Sequence, residues 1–201
     1  MFHIYLSKCK KIRPLITIKY RTWVFNTLYK VGLLANIYFT GKVKVIQSLN
    51  IQGKGRLILN DGCMLGVYPS PNLYNGEFYL EARRPESIIK IGKRVLINNN
   101  AVIIADKSSI TIGDDSLIGP NFVCFDSNFH PLAPDKRLSQ DYKCKPVKIG
   151  SNVFIGANVT ILKGVTVGDN SIIASGLIIS SDIPSNVIVR NGTGVKLCPF
   201  E

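Results

Sequence analysis

The first sixty residues contain no aspartate or glutamate. All thirteen acidic residues of this 201-residue chain lie at or beyond Asp61, while eleven of its 25 Lys and Arg come before it. The remaining 14 basic residues nearly balance the 13 acids, so the net charge of +12 belongs to the N-terminal segment. Such a segment attracts nucleic acid or an anionic lipid surface. No recognisable binding module accompanies the charge, which argues against nucleic acid. Long apolar runs are also lacking. The stretch from Trp23 to Phe39 is broken by Asn26, Lys30 and Asn36, too polar to span a bilayer comfortably. The five cysteines (Cys9, Cys63, Cys124, Cys144, Cys198) are scattered and form no CxxC pair. They read as reduced thiols of a cytoplasmic protein, not as a disulfide framework. Histidine is scarcer still, with only His3 and His130, so neither imidazoles nor paired thiols suffice for a metal site. No GxSxG elbow supports a serine nucleophile, and no GxGxxG or secretory leader is evident.

What the chain does have is period six. From Ile149 to Pro184 it reads IGSNVF, IGANVT, ILKGVT, VGDNSI, IASGLI, ISSDIP, with Ile149, Ile155, Ile161, Val167, Ile173 and Ile179 opening the six hexads. A helix would place apolar residues at i, i+3, i+4 and i+7, and a simple strand would alternate in twos. A six-residue interval instead specifies a short strand and a tight turn, repeated with one aliphatic side chain inward each time. This is the hexapeptide repeat of a parallel β-helix.

The pattern divides the chain into a basic, aromatic, helical segment, residues 1–40, and a β-helix domain, residues 41–201. Pro14 suits a first helical turn and Gly32 a helix end. The helical segment either packs across one end of the solenoid as a cap or lies in a membrane interface, and the two are compatible. Extended residues from Gly41 to Leu59 read as the first coil. The YPSPNLYNG stretch marks a loop at 67–76, and a strand follows at Phe78–Ala82. Hexads resume at Ile91, Ile97 and Ile103, then slip by three residues to Ile112, Ile118 and Cys124. A second interruption, 126–146, precedes the restart at Ile149. Asn186–Arg190 reads as a last strand, followed by a Gly-rich turn.

A loop expelled from a rigid stack is where function tends to sit. His130 lies in the second loop, and imidazole can take a hydroxyl proton near neutral pH. Asp126, four residues earlier, is expected to hydrogen-bond the other ring nitrogen and orient it.

The run from Ile91 to Lys196 resembles the hexapeptide-repeat O-acetyltransferases of the maltose, galactoside, nodulation-factor and polysaccharide group. INNNAVIIADKSSITIGDDSLIGPNFVCFDSNFHP is similar to that family's substrate half, and PVKIGSNVFIGANVTILKGVTVGDNSIIASGLIISSDIPSNVIV to its coenzyme half. The resemblance implies a left-handed parallel β-helix, a homotrimer with sites in the clefts between subunits, and acetyl-CoA as donor without a metal. It implies His130 as the base, and Asn99 or Asn98 as the acceptor contact. The Ala157 amide would bind the thioester oxygen, Ser175 would line the pantetheine groove, and Ser180 would lie near the coenzyme's far end. Lys163, Arg190 or Lys196 would supply charge for the phosphates. The chain departs from the family at Phe154, where Trp is usual, at Ser181, where a basic residue is common, and in the closing NGTGVK.

The basic arm suits an enzyme beside the inner membrane that O-acetylates a capsule or O-antigen saccharide or its precursor. Arg83, Arg84, Lys136 and Arg137 suit an acidic sugar such as sialic acid. Two rival readings remain: an N-acetyltransferase acting on an amino-sugar nucleotide, and a non-catalytic scaffold. The first commonly carries a nucleotide-binding βαβ domain that residues 1–60 lack, and the second predicts repeats without an exposed histidine.

Overall fold

Three hexads close one triangular coil, each contributing a strand to one of three faces. The computed structural model describes the backbone of residues 2–34, 36–190 and 196–199, and side chains over 12–34 and 36–190. It is a left-handed parallel β-helix preceded by one helix, α1 (Phe2–Lys30). Coil 1 is β1 (Ile37–Phe39), β2 (Lys44–Val45) and β3 (Leu49–Gly53), and coil 2 is β4 (Arg56–Leu59), β5 (Met64–Leu65) and β6 (Phe78–Ala82). Coil 3 is β7 (Ile88–Ile91), β8 (Leu96–Ile97) and β9 (Val102–Ala105), and coil 4 is β10 (Ser109–Ile112), β11 (Leu117–Ile118) and β12 (Val123–Phe125). Coil 5 is β13 (Val147–Ile149), β14 (Phe154–Ile155) and β15 (Thr160–Ile161), and coil 6 is β16 (Thr166–Val167), β17 (Ile172–Ile173) and β18 (Ile178–Ile179). A bridge at Ile183 and strand β19 (Val187–Arg190) begin a seventh coil, and β20 (Lys196–Pro199) turns back antiparallel on β19. The first strand of each coil joins sheet A, the second sheet B and the third sheet C.

Parallel register puts like above like. On sheet A, Leu59, Ile91, Ile112, Ile149 and Val167 form one column. On sheet B the column is Leu65, Ile97, Ile118, Ile155, Ile173 and Val189. All of these are buried, and each contributes about 1.5–3 kcal/mol of burial free energy. Cys63 and Cys124 fill inward positions as small apolar groups. Burial pushes the Cys63 thiol up to about 12 and raises Cys124 as well.

The corners between sheets need left-handed backbone, which Asn adopts at least cost after Gly. Asn100, Asn121 and Asn158 have φ of 61°, 58° and 57°, and Asn152, Asn170 and Asn186 have 55°, 58° and 62°. Their amides stack into ladders, Asn100 on Asn121 at 3.2 Å and Asn121 on Asn158 at 2.9 Å. Gly113 lies where coils nest, since a Cβ there would sit 2.5 Å from the Gly150 carbonyl carbon.

Helix α1 closes the first coil. Thr22 Oγ1 donates to the Val45 carbonyl at 3.0 Å and accepts the Val45 amide at 3.1 Å, covering polar edge groups that have no preceding coil. Arg21 donates to the carbonyls of Ile46 and Leu73. Phe25 enters the core and stacks on Phe39. Two details differ from expectation. Pro14 lies inside the helix and not in its first turn, a position that forfeits one backbone hydrogen bond. The first coil starts at Ile37, ahead of Gly41, because Ile37 already pairs with Leu57. The Gly-rich turn at 191–195 lies outside the described residues.

Asn121→Ala should destabilise the protein by about 2 kcal/mol, through left-handed strain and two lost ladder bonds. Asn121→Gly, which relieves the strain alone, should recover part of the loss in thermal unfolding followed by circular dichroism.

Candidate active site

The three-residue slip is an enlarged corner, residues 106–108, between sheets C and A. One coil later, Asp126 fills the space beneath it. Its wholly buried carboxylate accepts the amides of Asp106 and Ser108, each at 2.8 Å. Burial raises the Asp126 pKa, and these amides oppose the rise. The carboxylate is therefore a corner brace. The structure does not bring it to His130, contrary to the dyad expected from their spacing.

The orienting partner is a carbonyl. His130 Nδ1 lies 2.9 Å from the Arg137 carbonyl oxygen. That oxygen only accepts, so Nδ1 carries the proton and Nε2 of the neutral ring keeps its lone pair. The residue before the histidine, Phe129, is left-handed at φ 61°, and its amide is held by Ser127 Oγ at 2.8 Å. Its ring packs edge-on against Phe125 and lies 4.9 Å beneath the Arg83 guanidinium. Arg83 is fixed by Glu81 through bonds of 2.7 and 3.0 Å, which hold the Glu81 carboxyl below its ordinary range.

The loop is closed at its neck, where Lys145 N donates to the Asp126 carbonyl and Ser127 bridges Cys144. It is strapped to the sheet C–sheet A corners of neighbouring coils. Lys107 Nζ donates to the Gln140 carbonyl and sits 3.8 Å from the Tyr142 ring, while Arg84 donates to Gln140 and faces buried Asp106. None of these straps is signalled by a motif; the slip in period is the one trace of them in the sequence. His130 itself is exposed and borders two clefts. One, of about 450 Å³, is lined by Asn128, Leu132, Arg137 and Leu138. The other, of about 270 Å³, brings in Lys136, Tyr142, Lys143 and Lys163. A larger cavity of about 460 Å³ lies under α1, away from the histidine.

The remaining expected residues divide by corner. Lys163 joins His130 at the C–A edge, its Nζ bonded to the Lys143 carbonyl at 3.0 Å. Ala157 and Ser175 meet at the B–C edge, where the Ala157 amide donates to Ser175 Oγ at 3.0 Å. Gly156 permits this approach, since a Cβ there would sit 2.5 Å from Ser175 Oγ. Ser180 is exposed just past sheet C, and Arg190 is exposed on β19 opposite Lys196, whose side chain lies outside the described residues. Asn98 and Asn99 also lie at the B–C edge. Asn99 is wholly buried, accepts the Val67 amide at 2.9 Å and donates to the carbonyls of Pro71 and Val67, so it braces the 67–76 loop and no acceptor can reach it here. Asn98 is half-buried and accepts the Ser70 hydroxyl. Among the described residues no cluster could hold a metal ion.

Residues 88–123 and 146–181 match the family model described as the hexapeptide repeat of succinyl-transferase. Galactoside O-acetyltransferase of Escherichia coli K12 is 43% identical over 102 residues, which are 51% of this chain and 49% of that protein. The chain spans about half the length of the curated relatives it matches. The solved hexapeptide-repeat acetyltransferase of Vibrio cholerae, complexed with acetyl coenzyme A, is 38% identical over 54% of this chain and 58% of that one, with a TM-score of 0.50. A polySia-specific acetyltransferase is 25% identical over 81% and 69% of the two chains, with a TM-score of 0.53. In its six-residue repeat, its coil geometry and these likenesses, the chain is similar over about half its length to the hexapeptide-repeat O-acetyltransferases.

Proposed function

We propose that the protein is an acetyl-CoA-dependent O-acetyltransferase acting on a hydroxyl of a bacterial surface saccharide or its precursor. The observation that carries this reading is the Nδ1 bond of His130 to the Arg137 carbonyl, which leaves Nε2 as an exposed base on an expelled, braced loop. Nε2 takes the proton of the acceptor hydroxyl as its oxygen attacks, and returns it to the departing sulfur. The acetyl donor supplies an activated thioester carbonyl. The Ala157 amide is suited to the oxygen of that carbonyl, where a fixed N–H gains most as negative charge develops. It and Lys163 Nζ both have replaceable partners in the free chain, Ser175 Oγ and the Lys143 carbonyl. Lys163 and Arg190, with Lys196, are assigned to the coenzyme phosphates, and Ser175 and Ser180 to the coenzyme path.

For the acceptor, Lys136 and Lys143 at the His130 cleft favour an anionic saccharide, in keeping with the polySia specificity of one relative. Arg83 and Arg84, committed to Glu81 and Asp106, act in bracing the loop. Asn98, not the fully bonded Asn99, is the acceptor contact in this reading. The work is done in the cytoplasm, at the inner face of the plasma membrane.

The reaction also asks for more than one chain. His130 is strapped at the C–A edge and Ala157 lies at the B–C edge, one full side of the prism away, on the order of 15–20 Å for six extended residues. One thioester cannot touch both. A threefold homotrimer brings the C–A edge of one copy to the B–C edge of the next. Exposed Leu132 and Leu138 on the loop, with Leu117 and Phe154 on sheet B, supply apolar surface for that contact.

His130→Ala should lower acetyl transfer about 10²- to 10⁴-fold with folding unchanged, in an assay of thiol release with acidic and neutral polysaccharides as acceptors. Undiminished transfer to every acceptor would sink the reading. Light scattering should give a mass about three times 22.2 kDa. His130→Ala and Ser175→Trp should each be inactive alone, yet co-refolded one to one they should regain about a quarter of wild-type activity at mixed interfaces. No regain would place both groups in one chain's site.

A further inference from the structure

Helix α1 has two apolar faces. At 100° per residue, Pro14, Arg21, Thr22 and Phe25 fall together on the buried side, where Arg21 and Thr22 bond to the first coil and Phe25 enters the core. On the opposite side Ile12, Leu15, Ile16, Tyr20 and Trp23 fall within an arc of roughly 140°. They are 51, 55, 62, 62 and 63% exposed. The apolar surface continues past the helix end in Val31 and Leu33, and Tyr20 and Trp23 bring their rings within 6.3 Å. A helix serving only as a cap needs a polar outer face. This one offers aliphatic and aromatic side chains interspersed with exposed Lys19 and Lys30, flanked by Arg13, and the segment holds no acid before Asp61.

We infer that the outer face of α1, centred on Ile16, Tyr20 and Trp23, docks the protein on an anionic lipid surface. Charge selects this occupant. A second copy of the same face would bring Lys19 and Lys30 against their own counterparts, with no carboxylate to pair them. A bilayer bearing anionic headgroups meets the cations and accepts the apolar stripe at the same depth. Trp23 and Tyr20 suit the headgroup boundary, where an apolar ring body and a polar tip are both satisfied. No described helix is long and apolar enough to cross a membrane, so the contact is one of lying on the surface. The inference is independent of the reaction proposed for His130.

The full chain supplies its own probe, since Trp23 is its single tryptophan. With vesicles of phosphatidylcholine containing about one-third phosphatidylglycerol, the protein should cosediment, and Trp23 emission should shift to the blue and be quenched by brominated acyl chains. Binding should be at least tenfold weaker on pure phosphatidylcholine and in roughly 0.5 M salt. The Lys19→Glu, Lys30→Glu double variant and Ile16→Gln should each weaken binding about tenfold or more while melting as the parent does, because these side chains are exposed. Absence of binding to the anionic vesicles overturns the inference, as does binding indifferent to those substitutions. It is equally overturned if Trp23 is shielded from acrylamide in the free protein, which would mean another copy covers the face.

Discussion

Everything in this structure depends on vertical register. Coil repeats such as Ile149 to Val167 place one aliphatic residue over its counterpart, and each column faces the two other sheets of the prism. A residue inserted into a strand would turn every following side chain inside out. Extra residues therefore leave the stack only at corners, and the corner is where this chain puts all its variation: the 67–76 excursion, the widened turn at 106–108 and the 126–146 loop. The rigidity of the columns lets a histidine on an extruded loop keep a defined position, because Asp126, Lys107 and Arg84 tie that loop to corners that cannot shift.

The repeats between 149 and 184 were legible because inward burial recurs every six residues there without interruption. The first two coils were less so. Their inward positions mix Leu, Val, Phe and Cys, and a twelve-residue gap between β5 and β6 hides the period. The site was half legible. His130 stood out by its place in the chain, but a four-residue spacing suggests proximity only on a helix, and the chain between Asp126 and His130 passes through the left-handed Phe129 instead. The sequence displayed both the three-residue slip and Asp126, and nothing in it could tie one to the other. Three consecutive asparagines carried the same ambiguity. One faces Ser70, one is buried under a loop and one joins the corner ladder, a division set by backbone direction and not by residue type.

The N-terminal segment illustrates a different limit. Periodicity analysis detects a helix by the contrast between its faces. Helix α1 shows almost none, since one apolar face meets the first coil and the other meets solvent. Its two roles, closing the free edge at Val45 and presenting Trp23 outward, thus cancel in the very signal that would reveal either. The asymmetry that survives is electrostatic: the segment is basic throughout, and charge is the one property the two faces do not share with the core.

The partition of polar groups by edge gives the site its logic. Along the C–A edge lie the histidine, its carbonyl partner and three lysines, a set that can remove a proton and attract an anion. Along the B–C edge lie the Ala157 amide, bonded to the Ser175 hydroxyl, and the half-buried Asn98, to which the proposed reaction assigns the thioester oxygen and the acceptor. Under the proposed reaction neither edge would suffice alone, since sheet C lies between them. In the homotrimer proposed above, each meeting of one edge with the other would complete a site, and threefold closure would do so three times.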